Sequence, residues 1–435
     1  MPDTKPQPAR LYYGWIVAAV STFGMIATAP GQTMLVGLLA LPIQNDLGLT
    51  QSQIAQAYLF GTVLAALPLV YAGRLSDRFG PRIMIAAIAV LFGIGCVVLG
   101  QAHNYATLLV GYFLVRFLGQ GSLGLASQHA LAMWFHRRLG LVNGLKTVTL
   151  FLAWSTFPAL LTLLIETQGW RNAYAILGIA VAVTIAPLSL ILMRNKPEDI
   201  GQQLDGDLAS EPDPLTAPVK PTEPHFTLKQ AYRTAAFWLV AMVIVIQALV
   251  GTAILFNIQP MFVEADLDPE YAAGATSAWL LGSAICAVPA GWCADRFRPN
   301  VLLCISLCAM ATTALGLAAA EQVWQAFAAM GSFSIGFSLI AAVGTTTIAR
   351  YYGRPHHGAI RAAVGRLTVA GTGVGPFAQT WLKGSLGSFD ASLVVFAGMC
   401  VVMALVVLTL RRPEAPNSDT PNREGPRGGA RGPSD

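Results

Sequence analysis

The sequence predicts an all-α membrane protein with twelve transmembrane helices, and three observations carry this prediction. Only 11% of the 435 residues are charged, whereas a soluble domain typically carries about 25%. Apolar runs recur along almost the whole chain, and each is near the roughly 20 residues with which a helix crosses the hydrocarbon core. Most charged residues fall between these runs, as expected of short loops between membrane helices.

Six apolar segments in the first half are predicted to be membrane helices. The first follows Lys5 and Arg10, and Ala27 to Ala29 imitate a signal-peptide cleavage site. Because apolar sequence continues to Ile43, a first transmembrane helix is the simpler interpretation. The predicted spans are about 13–40, 51–72, 82–101, 105–133, 140–165 and 172–193.

The second half has six similar segments, and a polar stretch separates the two halves. These spans are predicted at about 233–263, 271–293, 300–319, 322–349, 359–382 and 391–410. The intervening stretch is rich in Pro, Asp, Glu and Gln, a composition that cannot bury a core. We therefore expect five parts: an N-terminal segment 1–12, a helical bundle 13–193, a linker 194–232, a second bundle 233–410 and a disordered tail 411–435.

The net charge of +5 informs topology rather than nucleic-acid binding. Basic residues form short clusters in alternate loops, while the loops between them hold only Arg171 and Lys383. By the positive-inside rule, both termini and the linker are expected to be cytoplasmic, in a protein of the cytoplasmic (inner) membrane. The expected surroundings are a lipid bilayer, with no nucleic-acid partner.

Motifs for catalysis, metal binding and cofactor binding are missing from the sequence. The six cysteines lie in apolar segments without a C-x-x-C pair, and the histidines lack zinc-site spacing. Gly119 to Gly124 form a literal G-x-G-x-x-G, but within an apolar helix, where close helix packing is the better interpretation. We expect a protein that is not an enzyme and has no metal site and no cofactor.

A repeated motif indicates that the two halves share one plan. Gly73-Arg74-Leu75-Ser76-Asp77-Arg78-Phe79 follows the second span, and Gly291-Trp292-Cys293-Ala294-Asp295-Arg296-Phe297 follows the eighth. Both copies have the form G-x-x-x-D-R-F at matching places, which predicts an internal repeat. A glycine there allows a neighbouring helix to approach closely, and the arginines face the cytoplasmic rim.

The first copy resembles the signature of the major facilitator superfamily, G-x-L-x-D-R-x-G-x-R. The matching residues are Gly73, Leu75, Asp77, Arg78, Gly80 and Arg82. The resemblance implies two pseudo-symmetric six-helix bundles around a central cavity and transport by alternating access. It also implies a conformational gating role for Gly73, Asp77, Arg78, Gly80, Arg82, Gly291, Asp295 and Arg296.

Weaker similarities point to one branch of that superfamily. Tyr12-Tyr13-Gly14-Trp15 opens the first span, Gly169-Trp170-Arg171 opens the sixth, and Lys196-Pro197-Glu198-Asp199 follows it. These segments resemble the monocarboxylate and oxalate/formate branch. This resemblance implies a small carboxylate as substrate.

Three cations are predicted inside helices, without any deep carboxylate to pair with them. They are Arg116, Lys146 and Arg366. A charge at membrane depth costs about 2.5–3.5 kcal/mol, so each is a candidate for function. For Lys146 and Arg366, contact with a ligand and snorkelling toward the cytoplasmic surface both remain open.

An excess of buried positive charge favours an anionic substrate. We expect a secondary transporter that moves a small organic anion by proton symport or by anion exchange, as a monomer. The predicted substrate-binding residues are Arg116, Gln120, Lys146, Arg366, Gln32, Gln247 and Asn257. The amides could instead bond helix to helix. Two alternatives remain open: an exporter of drugs or siderophores, and a membrane receptor without transport.

Overall fold

The computed structural model describes residues 12–135, 138–203, 205, 226–352 and 357–413, and its regular elements in these ranges are all helices. The predicted N-terminal segment up to Leu11, most of the linker and the tail from Glu414 lie outside the described residues.

The first half contains six membrane-crossing segments, α1 to α6. They are α1 (Gly14–Ile26, Thr33–Leu38 and Ala40–Leu47), α2 (Gln51–Ala66 and Leu69–Phe79), α3 (Pro81–Gly100), α4 (Tyr105–Val115, the π-helix Arg116–Leu123 and Gly124–Trp134), α5 (Leu139–Trp154 and 157–168) and α6 (170–192). The stretch Phe157–Leu192 is helical except at Gly169 (φ 76°, ψ 157°), where α5 ends and α6 begins.

The second half contains six straighter segments, α7 to α12. They are α7 (Ala235–Glu264), α8 (Tyr271–Arg296), α9 (Pro299–Ala318), α10 (Val323–Tyr352), α11 (His357–Leu386) and α12 (Phe389–Val407). In the described part of the linker, a short 3-10 helix (Pro197–Ile200) follows α6 and a short helix (Leu228–Ala231) precedes α7.

Helix packing is equivalent in the two halves, as the repeated motif predicts. In the first half α3 packs along α6 and α2 along α4, and in the second half α9 packs along α12 and α8 along α10. Between the halves α2 packs against α11 and α5 against α8, two pairs that exchange under the internal two-fold. The prediction of two pseudo-symmetric six-helix bundles is confirmed.

Nine helical stretches in the described residues are long and apolar enough to span a membrane by themselves. The difference from twelve has local causes. Residues 141–192 form one stretch that contains most of α5 and all of α6. Segment α2 is interrupted between Ala66 and Leu69, and α11 carries Arg361, Arg366 and Lys383. Large apolar side chains such as Leu67, Val183 and Val402 are exposed on the outside of the bundle, where a bilayer would cover them.

The first predicted helix is not continuous. It breaks at Ala27, runs through the 3-10 turn Ala29–Gly31 and resumes at Thr33. Pro30 accounts for the break because proline cannot donate the backbone hydrogen bond of a helix interior. The prediction of one helix over 13–40 was therefore wrong in this detail.

The repeated motif also lies differently from the prediction. Gly73 to Phe79 form the last two turns of α2, and Gly291 to Arg296 form the last turns of α8, so the motif is largely helical rather than loop. The turn itself is made by Gly80 at φ 79°, a conformation that favours glycine.

The two ends of the bundle differ in charge. We call the end where α2 joins α3 and α8 joins α9 the basic end, since it holds Arg78, Arg82, Arg296 and Arg298. The opposite end holds the turn at Gly48 between α1 and α2 and the turn at Asp266 between α7 and α8.

Candidate functional site

Three adjoining cavities lie inside the bundle, with volumes of about 930, 320 and 300 Å³. We call the largest the vestibule, the second the central chamber and the third the side cavity. Phe337 of α10 lines all three, and Arg361 lines both the vestibule and the side cavity. Helices from both halves line the vestibule and the central chamber, as in a carrier whose ligand binds between two bundles.

Segments α1, α4, α5, α7, α8, α10 and α11 form the central chamber. Its polar and aromatic lining residues are Gln32, Thr33, Gln120, Phe151, Trp154, Gln247, Thr252, Trp279, Phe333, Phe337, Thr368 and Thr372. The break in α1 places Gln32 there, and its Nε2 donates to Thr28 Oγ1 at 3.0 Å. Neither an acidic nor a basic side chain is among its lining residues.

The vestibule contains a fixed lysine. Lys146 Nζ donates to Gln128 Oε1 at 2.7 Å and to Asn143 Oδ1 at 2.8 Å. Gln128 Nε2 also donates to Asn143 Oδ1 at 3.0 Å, so the two amides hold each other in place. An ammonium group has three N–H donors, and these bonds use two of them. The third is available to an anion.

Arg361 on α11 lines the same vestibule as Lys146. Arg361 falls near the start of the predicted span 359–382, but it was not singled out as a candidate because it lies beside the basic loop before that span. In the structure α11 begins at His357, so Arg361 lies one turn inside the helix. Among the described residues that line the three cavities none is Asp or Glu, so their described lining carries positive charge without negative charge.

Arg116 lies behind the cavity wall. Its side chain is only 4% exposed, and it lines none of the three cavities. Nη1 donates to Gly31 O at 3.1 Å and to Thr33 Oγ1 at 3.3 Å, and Nε donates to Thr62 Oγ1 at 3.2 Å. The guanidinium carbon also lies 5.0 Å from the centre of the Tyr58 ring. All of these partners are neutral.

The predicted amides divide into two groups. Gln32, Gln120 and Gln247 line the central chamber. Asn257 lies elsewhere: it is fully buried, accepts a hydrogen bond from Gln51 Nε2 at 3.0 Å and donates to Gln379 Oε1 at 2.9 Å. Asn257 thus forms hydrogen bonds between helices, which the sequence analysis named as the alternative to substrate binding.

Arg366 is exposed and lines none of the three cavities. On α11 it is Arg361 that lines the vestibule together with Lys146. The structure therefore brings Lys146 together with Arg361, not with Arg366.

The gating residues of the first motif copy connect α2 and α3 to the end of α6. Arg82 donates from Nε and Nη2 to Leu190 O at 3.0 and 2.5 Å, and its backbone N–H donates to Asn195 Oδ1 at 3.1 Å. A Cβ on Gly80 would lie 2.5 Å from the Asn195 side chain. Both contacts lie within the first half.

The remaining motif residues are more exposed. Arg78 lies beside Phe79 and Arg296 beside Trp292, with 5.4 and 4.5 Å from guanidinium to ring centre. A Cβ on Gly73 or Gly291 would meet no described atom within 4 Å. The expected close helix approach at these glycines is therefore wrong for this conformation. The side chains of Asp77 and Asp295 lie outside the described residues.

The opposite end is closed by contacts between the halves. Besides the bond from Gln51 to Asn257, the rings of Tyr58 and Phe256 lie 4.7 Å apart. Gly37 of α1 packs so closely on α7 that an added Cβ would collide with Leu255 O. The bundle is thus closed at the opposite end, while the vestibule extends from the chamber toward the basic end.

Cations at the opposite end have carboxylate partners. Arg171 forms an ion pair with Asp46, and Lys383 Nζ lies 2.6 Å from Glu264 Oε2. In the part of the chain that is described, no group of three or more His, Cys, Asp or Glu side chains is arranged to hold a metal ion.

Two six-helix bundles that enclose a cavity open at one end define a polytopic carrier of the alternating-access type. The chain belongs to the Major Facilitator Superfamily, whose model matches residues 21–275 and 240–432. The expected family is thereby confirmed, and the protein is a multi-pass membrane transporter.

The relatives of this chain are distant. It is 26% identical over 431 residues to Monocarboxylate transporter 11 of Mus musculus, covering 92% of this chain and 88% of that protein. It is 25% identical over 158 residues to the Probable sulfoacetate transporter SauU of Cupriavidus necator, and that match spans only 36% of each protein. The crystal structure of the D-xylose-proton symporter has the same fold, with a TM-score of 0.71, 16% identity and coverage of 92% of this chain and 98% of that one.

Proposed function

We propose that the protein is a secondary active transporter of a small organic anion of the monocarboxylate type. One observation carries this proposal: Lys146 and Arg361 line one vestibule, and no carboxylate is among the described residues that line the three cavities. Holding the half-buried Lys146 close to a second cation is costly unless a counter-charge is present. An anionic substrate supplies that counter-charge.

The partners of the other cations also support a negatively charged substrate. Lys383 and Arg171, at the opposite end, each have a carboxylate partner, whereas the partners of Lys146 among the described residues are amide oxygens. Arg116 adds a further buried cation behind the chamber wall with neutral partners. Its field favours negative charge in the chamber without direct contact.

The direction of opening fits alternating access in a cytoplasmic membrane. The positive-inside rule assigns the basic end, with both termini and the linker, to the cytoplasm. On this assignment the described conformation is open to the cytoplasm and closed at the opposite end. We infer that the bundles 13–193 and 233–410 rotate relative to each other about the cavity. We also infer that the two motif copies stabilise the conformation in which the basic end is closed.

The relatives support an anion as the cargo. The names of two of them specify a monocarboxylate and sulfoacetate, both small organic anions. Since the described lining of the cavities offers no carboxylate as a proton relay, we propose that a proton travels on the substrate or that a second anion is exchanged.

Counterflow in proteoliposomes tests the proposal. The purified protein is reconstituted into liposomes that are loaded with unlabelled acetate, pyruvate or phenylacetate. Uptake of the same anion in labelled form is then followed with and without a pH gradient. We expect saturable exchange, and we expect Lys146→Met and Arg361→Met each to raise the half-saturation concentration at least tenfold. The control Lys229→Met removes an exposed charge outside the cavities. Failure of every anion to exchange would overturn the proposal.

An exporter of drugs is the second candidate, because the central chamber has five aromatic side chains and no charge. Expression in a drug-sensitive strain distinguishes it. Resistance without anion counterflow would favour the exporter, and counterflow without resistance favours the anion carrier. A receptor without transport would bind anions in detergent but show no counterflow.

A further inference from the structure

Five aromatic side chains enclose the central chamber from both halves. Phe151 and Trp154 come from α5, Trp279 from α8, and Phe333 and Phe337 from α10. Trp279 stacks on Phe333 at 5.0 Å with an interplanar angle of 12°, and it meets Phe337 edge-on at 5.4 Å. Phe337 also meets Phe151 edge-on at 5.8 Å. Such walls favour a flat apolar group over a small hydrophilic one.

Two hydrogen-bond donors in the chamber wall have no acceptor among the described residues. Gln247 is 6% exposed and Trp279 is 5% exposed. Gln247 Nε2 and Trp279 Nε1 are both buried without a partner, although both residues line the chamber. By contrast, Trp154 Nε1 donates to Ile26 O at 3.1 Å. Ten buried side-chain N or O atoms of the described residues lack a partner, and of these Gln247 Nε2 and Trp279 Nε1 are the two that belong to residues lining the chamber. We take them as the donors for an acceptor atom on a ligand, because buried donors are rarely left unsatisfied.

Two serine hydroxyls of α10 hold the backbone of α8 near Trp279. Ser334 Oγ donates to Trp279 O at 2.8 Å, and Ser338 Oγ donates to Ser283 O at 3.2 Å. These bonds hold α8 against α10 at the aromatic stack and one turn beyond it. The Trp279 ring is therefore part of a preformed wall.

The chamber and the charged vestibule lie at a distance that suits one aromatic acid. Lys146 and Phe151 are five residues apart on α5, which corresponds to about 7.5 Å along the helix axis. A carboxylate at Lys146 therefore allows a single ring, attached directly or through one carbon, to extend past Phe151 into the chamber. The chamber volume of about 320 Å³ is at the lower end of the range for small-ligand sites.

We propose that the substrate is an aromatic monocarboxylate with a polar ring substituent. Its carboxylate lies at Lys146 and Arg361, its ring lies among the five aromatic side chains, and its substituent accepts hydrogen bonds from Gln247 and Trp279. This inference rests on the proposed anion transport, and it makes Gln247 and Trp279 specificity-determining residues. Gln32 and Gln120 line the same chamber and offer amide oxygens to a hydroxyl proton.

The test is competition in counterflow with the full-length protein in proteoliposomes. Labelled phenylacetate is exchanged against internal phenylacetate, and the inhibitory concentrations of unlabelled phenylacetate, 4-hydroxyphenylacetate and pyruvate are compared. We expect 4-hydroxyphenylacetate to compete at a concentration about three- to tenfold lower than phenylacetate, the range for one or two neutral hydrogen bonds. Pyruvate should compete at least tenfold more weakly than phenylacetate.

Two variants test whether Gln247 and Trp279 cause the preference for 4-hydroxyphenylacetate over phenylacetate. Gln247→Leu and Trp279→Phe each remove one donor and keep a similar shape, so we expect the ratio between the two aromatic acids to fall toward one. A ratio measured within one variant does not depend on how much active protein is present. Gln259→Leu on α7 is the matched control, because Gln259 lines none of the three cavities.

Two results would overturn the aromatic site alone, and a third would overturn the proposed anion transport. Equal competition by pyruvate and the aromatic acids, or an unchanged ratio in both donor variants, would contradict the aromatic site while leaving anion transport intact. Absence of counterflow with every anion would instead contradict the proposed function itself.

Discussion

Gln51 of α2 donates from Nε2 to Asn257 Oδ1 of α7 at 3.0 Å, and this hydrogen bond joins the two halves at the closed opposite end. Asn257 is fully buried and also donates to Gln379 Oε1 of α11 at 2.9 Å. The two hydrogen bonds therefore connect three helices through the side chains of Gln51, Asn257 and Gln379. It must break when the opposite end opens, because α2 and α7 belong to different halves.

Loss of this bond should favour opening at the opposite end. Gln51→Ala removes the donor at a half-buried position, and a net loss of about 1 kcal/mol corresponds to about a fivefold shift in population. Distances between spin labels at the exposed residues Thr167 and Glu321, in a cysteine-free background, report the separation of the halves. The long-distance population should increase. Ser52→Ala is the control on the same turn. Equal distance distributions in the Gln51→Ala and Ser52→Ala variants would show that the hydrogen bond from Gln51 to Asn257 does not hold the opposite end closed.

Gly37 offers a steric test of the same closed end. Gly37→Ala places a methyl group against Leu255 O of α7, where it collides with backbone rather than with a flexible side chain. We expect the halves to separate near Gly37 and counterflow to slow at least threefold. The control Gly398→Ala on α12 adds a methyl where no described atom lies within 4 Å, at a residue outside the three cavities. An unimpaired Gly37→Ala carrier would show that α1 and α7 need not touch during the cycle.

Two glycines on α11 give a matched pair for stability. A Cβ on Gly375 would collide with Leu249 O, whereas a Cβ on Gly365 would meet no described atom within 4 Å. Overpacking of this kind costs about 1–3 kcal/mol. Gly375→Ala should therefore lower the thermal unfolding midpoint in detergent by several degrees, while Gly365→Ala should leave it unchanged or raise it. The reverse order would mean that α7 and α11 pack differently.

Arg116 separates the effect of charge from that of geometry. Arg116→Lys keeps the charge but loses the planar group that bonds Gly31, Thr33 and Thr62, whereas Arg116→Gln loses both. If the buried charge attracts the anion, affinity in counterflow should fall in the order Arg, Lys, Gln, with at least a tenfold loss for Gln. Equal affinity in all three proteins would show that the anion does not sense this charge.

The fold was accessible from the sequence because its main signals are local. Each apolar run reports one helix, and the second G-x-x-x-D-R-F copy reports the repeat without any knowledge of contacts. The break in α1 was missed, although Pro30 was visible, because a proline within an apolar run does not show whether a helix bends or stops. The α5–α6 boundary at Gly169 was predicted more closely, since Gln168 and Gly169 interrupt the apolar pattern.

The site was less accessible because side-chain direction depends on packing. Depth along a helix could be estimated for Arg116, Lys146 and Arg366, but depth does not tell which face of the helix a residue occupies. Lys146 faces the vestibule, Arg116 lies behind the wall, and Arg366 is exposed outside the cavities. Arg361 lies within the predicted span 359–382, but its place near the start of that span did not mark it as a residue that lines a cavity.

The π-helix Arg116–Leu123 in α4 has a consequence for insertions and deletions in this chain. A π-helical turn accommodates one more residue than an α-helical turn. Because the wider turn absorbs an extra residue, the residues that follow it keep nearly the faces they would have in a regular helix one residue shorter. Deleting one residue from this stretch should therefore restore α-helical winding and leave Gln128 within reach of Lys146. Related chains with a one-residue gap at this point should keep both the fold and this contact.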